Sequence, residues 1–526
     1  MNDNLKGKFD YTARVLDRTD LCDLSDDYTL PDYMPAIGRV ISCTGVAAPP
    51  ALYVGGGNIE FAGGVRYLLH YESAEDATLW CAELPAEYDH IISTDRLSNA
   101  PSNLSEIYGN AEASAENISA RITAPRRLTV KSRIRLPISL SCNSSFEPVF
   151  HGDTEAIHYL EGSSPYGTLS CGTSAPIICR DKISYSELGL TDSDNCRIIS
   201  SRGKIMINRT ESVGNSLECK GEVSVHILYV SDNESERPRK TVRRIPFSAQ
   251  IPLGGIASLA ASPIGIRACG TCPTVTTSSA EDGINLEAAL LLSGEASRIS
   301  SISYLKDVYS QNADCELSRS DLYLRVPIAC FNGNATISAQ SKLDVLGLDG
   351  GMKILDYNAA VTQTPEWEIS ESEKFIVNGR MRINVVADNG AEIIPAEFES
   401  DFKYVAEIPD IGSAISLKIN LTADVCDMKC RLDSERLYAD CEICVSVLAE
   451  DERRISTVSE VNMTELPAEK ESGSTIIVCY PAKNETLWDV AKRYRADAYD
   501  IAERNSLNVT TLDAPESLSK TKFLIL

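Results

Sequence analysis

Hydrophobic and polar positions alternate along most of this chain. The clearest stretch is Gly221-Glu222-Val223-Ser224-Val225-His226-Ile227-Leu228-Tyr229, in which Val223, Val225, Ile227 and Tyr229 fall on one side. Successive side chains of a strand point to opposite faces, so a period of two predicts a strand with one buried face. The same pattern occurs at Gly63-Gly64-Val65-Arg66-Tyr67-Leu68-Leu69-His70-Tyr71 and at Gly379-Arg380-Met381-Arg382-Ile383-Asn384-Val385-Val386. The leading glycines, Gly63, Gly221 and Gly379, are evenly spaced by 158 residues. Equal spacing of one local pattern predicts duplication.

Other stretches keep the phase. Val40-Ile41-Ser42-Cys43-Thr44-Gly45 matches Ile198-Ile199-Ser200-Ser201-Arg202-Gly203, and Ile354-Leu355-Asp356-Tyr357 is the counterpart in the third copy, two residues out of step. After each central strand comes Leu84-Pro85, Ile245-Pro246 or Ile394-Pro395, and proline beside a strand suits a strand start or a sheet edge. A late strand also recurs, at Leu128–Leu136, Ile284–Leu291 and Leu437–Val445, each preceded by turn residues. The connecting segments 145–185 and 305–345 are strand-like in part, either closing one sandwich or bridging two.

The last stretch changes period. Ile476-Ile477-Val478 and Phe523-Leu524-Ile525 read as strands. Between them Leu487, Val490, Ala491 and Tyr494 fall at i, i+3, i+4 and i+7, one apolar helix face. Thr486 with Asp489 three residues on is a capping pair, and Asp497 with Asp500 repeats it before Ala498, Ile501 and Ala502. The expected order is βααβ. The chain as a whole is expected to be mostly β. Three repeated all-β domains span 1–145, 146–304 and 305–462, the second and third beginning with connecting strands. A polar linker covers 463–474 and a small α+β domain covers 475–526.

The glycine-led strand, the proline-flanked strand and the late strand, present three times and followed by this tail, resemble the SPOCS-domain sporulation proteins that end in a LysM module. The resemblance covers nearly the whole chain. It implies a non-enzymatic scaffold in endospore envelope (coat) assembly. Its implied partner is the spore-coat morphogenetic ATPase. Its implied place is the mother-cell cytoplasm, at the outer forespore membrane surface.

The tail departs from the pattern of sugar-binding LysM modules. Those usually carry Gly-Asp-Thr before the first helix, where this chain has Asn484-Glu485-Thr486. They usually carry Pro-Gly before the last strand, where this chain has Lys520-Thr521-Lys522. Glycine allows close backbone approach and positive φ, so its loss shifts the expected ligand from glycan to protein. Peptidoglycan or chitooligosaccharide binding is the alternative. The candidate contact residues are Lys483, Asn484, Glu485, Thr486, Leu487, Trp488 and Asn505. Trp488 lies off the apolar stripe, so it either anchors a partner or packs on the second helix or the linker.

Composition narrows the function classes. The net charge is −25 over 526 residues. From Ser474 onward seven basic residues balance seven acidic ones, so the excess lies upstream. A nucleic-acid binder would show a basic stripe, and none is expected here. No apolar run reaches the length of a membrane-spanning helix, and the start, Met1–Lys8, lacks the apolar core of a signal peptide. Seventeen cysteines in such a chain read as buried thiols rather than a disulfide framework. Cys269-Gly270-Thr271-Cys272 lacks the βαβ context of a redox motif. Cys426, Cys430, Cys441 and Cys444 have zinc-like spacing, but Cys441 and Cys444 are three apart in an alternating strand and so face opposite ways. The five histidines, His70, His90, His151, His158 and His226, form no ligand pair. Gly55-Gly56-Gly57 lacks the lysine of a phosphate loop and reads as a turn. No catalytic constellation and no cofactor is expected.

Overall fold

The structure is a computed structural model that describes residues 7–97, 107–152, 156–190, 196–231, 237–254, 264–466, 477–507, 511–514, 518 and 521–526. Most of the expected linker, 467–474, and the first six residues lie outside these. The chain is mostly β, in several antiparallel sheets. Strands bury alternate side chains, as the sequence pattern requires, and three hydrophobic cores result.

Each core lies between two sheets of one plan. The first sheet is built on a long last strand: Arg127–Phe146, Gly283–Ser310 or Arg436–Glu465. One side of it pairs with the opening strand: Phe9–Thr29, Ile157–Thr173 continued by Ile177–Ser184, or Ala313–Lys342. The other side pairs with the strand just before it, Ser114–Ala124, Gly265–Ala280 or Leu417–Leu432. The connecting segments at 145–185 and 305–345 therefore open a sandwich. The last strands run without a break across residues 304 and 462, because each opening strand needs a partner of matching length.

The second sheet is a meander around a central strand, Asn58–Ser73, Ser216–Ser231 or Lys374–Asp388. These are the glycine-led strands. Each leading glycine sits opposite an aromatic residue on the next strand: Gly63 with Tyr88, Gly221 with Phe247, Gly379 with Phe402. A Cβ at any of the three would meet that ring, so the ring fills the space the missing side chain leaves. Pro85, Pro246 and Pro395 lie inside the strands that pair only with the central strand. A proline cannot donate to a ladder, and an edge strand has a side where no donor is needed.

The three sandwiches meet along shared seams. Ile41, Leu68 and Leu79 of the first pack with Ile199, Leu228 and Val230 of the second and Leu355, Val386 and Ile393 of the third. Beside this apolar contact lies a buried polar group. Arg202 of the second sandwich binds Asp356 of the third with two nitrogens, at 2.6 and 2.8 Å, and Lys240 binds the same carboxylate at 2.9 Å. His70 of the first sandwich reaches Ser200 of the second at 2.9 Å. At the far edge, Val149–His151 pairs in parallel with Glu460–Asn462, so the segment leaving the first sandwich lies on the third. Arg14 of the first also binds Glu450 of the third at 2.8 Å. Each sandwich thus touches both others.

The helices are few and short. A one-turn helix, α1 (Leu343–Leu346), follows the opening strand of the third sandwich. Helices α2 (Leu487–Tyr494) and α3 (Ala498–Arg504) belong to the tail. Among the described residues no helix is long and apolar enough to cross a membrane.

Candidate functional site

The tail begins with strand Val478–Cys479, continues through α2 and α3, and ends with strand Leu524–Ile525, which pairs antiparallel with the first. Thr486 caps α2: its hydroxyl accepts from the Asp489 N–H at 3.1 Å, and its own N–H donates to the Asp489 carboxylate at 3.0 Å. Asp497 caps α3 through the N–H groups of Tyr499 and Asp500. The bonds at α2 are reciprocal and those at α3 run one way, and both satisfy donors that a short helix leaves open. Leu487, Val490, Ala491, Ala498, Ile501 and Ala502 close a small core over Cys479 and Leu524.

Tyr494 does not join that core. It is 40% exposed and lies beside Arg493. Helix α2 ends there, with Arg495 in the left-handed region, so the fourth position of the stripe has turned away from the core.

The candidate contact residues divide into two sets. Lys483 and Asn484 are exposed in the turn before α2, and Glu485 is half-buried. Asn484 has φ +67°, the backbone state that favours glycine and that asparagine tolerates. Glu485 accepts from the Ala482 N–H at 2.7 Å and pairs with Arg493 at 2.9 Å, closing the turn. These three remain on the surface.

The other four make contacts within the chain. Leu487 is fully buried and Thr486 is the helix cap. The Asn505 amide donates to the Ile501 and Ile525 carbonyls at 2.8 and 2.7 Å and accepts from the Ile525 N–H at 2.8 Å, so it ties α3 to the last strand. Trp488 is only 3% exposed. Its indole N–H donates to Asp307 at 2.9 Å, and its ring meets Tyr309 edge-on at 4.8 Å. The last strand of the second sandwich supplies these two contacts, and Trp488 also clusters with Ala498, Ile501 and Ala502 of α3.

That contact is the centre of a broad seat for the tail. Lys492 binds Asp307 at 2.6 Å, Arg495 binds Asp314, and Lys306 binds Asp513 at 2.7 Å. The hydrogen bond to Asp513 holds the Lys306 ammonium above its ordinary pKa. The Tyr309 hydroxyl donates to the Ala496 carbonyl at 2.7 Å, and burial pushes its pKa up. His158 stacks on Tyr309 at 4.8 Å and lies 3.6 Å from Asp497. Asp307, Tyr309 and Asp314 were not singled out from sequence. They lie in ordinary alternating stretches, and only the fold brings them to residues about 180 positions later.

The opposite side of the tail is free of the sandwiches' seat. Cys479 and Leu524 point inward, so their neighbours in the two-stranded sheet point outward. Val478, Tyr480, Phe523 and Ile525 are all exposed, Tyr480 at 73%. Lys483 and Lys522 flank this face, and neither forms an ion pair among the described residues. The arrangement offers an apolar surface with two exposed lysines near it in sequence. Among the described residues no group of three histidine, cysteine, aspartate or glutamate side chains is placed to hold a metal ion. All seventeen cysteines are free thiols. Comparison with protein-family models, with curated proteins and with solved structures finds no match to this chain.

Proposed function

We propose that this chain is a non-enzymatic scaffold of endospore envelope assembly, with three SPOCS-like sandwiches and a LysM-like tail that docks on a protein. The observation that carries the docking is the outward face of the tail sheet. Four large apolar side chains stand exposed there, and scattered single apolar residues would need no such explanation. The sandwiches hold the opposite side of the tail through Trp488, so the free face is presented from a fixed position. In this reading the partner is the spore-coat morphogenetic ATPase, and the complex forms in the mother-cell cytoplasm at the outer forespore membrane. The contact centres on Tyr480 and Phe523, with Lys483 and Asn484 at its rim.

The test is capture of the purified ATPase by the full chain, set beside the double variant Tyr480→Ser, Phe523→Ser. Capture should fall at least tenfold with the double variant, whose substitutions lie outside the tail core. Undiminished capture would remove this face from the interface, and no capture by the parent chain would remove the partner. The exposed tyrosines Tyr480 and Tyr499 favour one competing ligand, since aromatic rings also stack on sugars. Saturable sedimentation with insoluble peptidoglycan, displaced by N-acetylglucosamine oligomers, would replace the protein partner with a glycan.

A further inference from the structure

The meander sheet of the third sandwich carries an open polar row on its outer face. Asn384 follows Ile383 and precedes Val385, both of which point into the core, so Asn384 points outward. Asn358 lies directly opposite it on one neighbouring strand and Glu397 on the other. The three side chains form a line across three strands, about 5 Å apart. The matching rows of the other units are closed. In the first sandwich the row is Thr44, Leu68 and Glu83, and Leu68 at its centre is 1% exposed. In the second it is Arg202, His226 and Val242, and His226 is 6% exposed. In the third, Asn358 and Asn384 are only half-buried and Glu397 is exposed.

This row lines a groove of about 360 Å³ between the first and third sandwiches, within the ~300–1,000 Å³ usual for small-molecule clefts. The facing wall includes strand Ser114–Ala124 of the first sandwich, whose ladder slips between Glu116 and Ser119. A bulge re-aims the side chains it carries. Here it holds Asn117 at φ +51°, exposed at the groove. The side chains of Asn117, Asn358, Asn384 and Glu397 make no hydrogen bond or ion pair among the described residues. Asn358 and Asn384 have no polar atom shut away from solvent, so these groups are open to a ligand. Ile118, Ala360 and Pro395 add apolar surface beside them.

The chemistry of these groups selects the occupant. An amide both donates and accepts, as a hydroxyl does. Three amides and a carboxylate therefore match a molecule that presents several hydroxyls. Charge points the same way. Arg382, the cation of the groove, is bound to Glu399 at 3.0 Å, whereas Glu397 has no cation among the described residues. An anion meets an unpaired carboxylate there. A cation gains only from Glu397, and a single exposed charge is screened by solvent and salt. Among the described residues no aromatic ring lines the groove, so a flat aromatic ligand finds nothing to stack on. We infer that this groove binds a small neutral polyhydroxylated molecule of about hexose size, held by Asn117, Asn358, Asn384 and Glu397. The site is separate from the outward face of the tail.

The experiment is a calorimetric titration of the full chain with D-glucose, D-galactose and D-mannose, each set against its uronate. At least one neutral hexose should bind saturably, with its uronate at least about threefold weaker. Asn384→Leu keeps the size of the side chain and removes its hydrogen bonds, and should weaken that binding about 3- to 10-fold. Glu397→Gln changes an exposed residue and should narrow the gap between hexose and uronate, which decides the matter if Asn384→Leu does not fold. The double variant Tyr480→Ser, Phe523→Ser should bind the hexose as the parent does, which separates the groove from the tail. Four results would each overturn the inference: no saturable hexose binding, a uronate binding as tightly, an unchanged gap in Glu397→Gln, or loss of binding in the tail variant. Undiminished hexose affinity in a folded Asn384→Leu chain would overturn it as well.

Discussion

Asp356 is a carboxylate buried in one sandwich whose two bonded cations come from another. Burial works against its charge, and Arg202 and Lys240 more than offset this, so its pKa lies below the usual carboxylate range. Burial also lowers the Lys240 ammonium, to about 8. The Lys240 nitrogen sits 3.2 Å from the centre of the Tyr357 ring, a second contact for its charge. The positions matching Asp356 in the other two units are Ser42 and Ser200, so only one seam carries this lock. Asp356→Asn strands two cations away from water, and breaking a buried pair by removing one partner costs ~3–5 kcal/mol. Urea unfolding of the full chain should show a loss of that size, and a change below about 1 kcal/mol would mean that water reaches the cluster. Sequence reading placed Asp356 on a repeated strand and His70 and His226 on others. It could not place them together, because Arg202 and Asp356 are 154 residues apart and the pairing is set by packing between units.

Elements were legible where their cause is local. The caps at Thr486 and Asp497 depend on residues within three positions: Thr486 and Asp489 form the reciprocal pair that the spacing predicts, whereas Asp497 caps alone, accepting from the Tyr499 and Asp500 N–H groups. The glycine-led strands depend on alternation and are the central strands of the meander sheets. Tyr494 was misplaced because periodicity says nothing about where a helix stops. Trp488 was legible as a side chain off the core stripe but not as the anchor of the tail to the sandwiches, since its partners Asp307 and Tyr309 lie far upstream. Trp488→Ala removes the indole bond and the aromatic contact, and truncations of this kind at an interface centre cost ~2–4 kcal/mol. The tail core keeps Leu487, Val490 and Ile501, so the module itself should persist. Limited proteolysis should then release an intact tail fragment much faster than from the parent chain. Unchanged cleavage would show that the ion pairs at Asp307, Asp314 and Asp513 hold the seat unaided.

For the molecule as a whole, the seams set the response to acid. Burial depresses the His70 pKa to about 4 and the His226 pKa to about 2, against an ordinary 6.5. Between 6.5 and those values the unfolded chain carries protons that the folded chain refuses, so stability rises with pH across that window. It should therefore fall as pH drops from about 6.5, by up to ~1.4 kcal/mol per histidine for each pH unit, and the depressed Asp356 pKa acts in the same direction at lower pH. A double variant, His70→Gln with His226→Leu, should flatten the slope of unfolding free energy between pH 6 and 4.5. An equal slope in parent and variant would assign the acid response to other groups.

The pairing of each opening strand with its own last strand also constrains synthesis. Strand Phe9–Thr29 has no partner until Arg127–Phe146 has been made. At roughly 5–20 residues per second, the 98 to 137 residues between paired positions leave it unpaired for about 5–27 s. An unpaired strand invites pairing with another chain, and charge on the strand resists it. Asp10, Asp17, Asp20, Asp23, Asp26 and Asp27 all lie on this one strand. Part of the acidity of the chain thus stands on a strand that waits for a distant partner, where like charges oppose its pairing with the same strand of a neighbouring nascent chain.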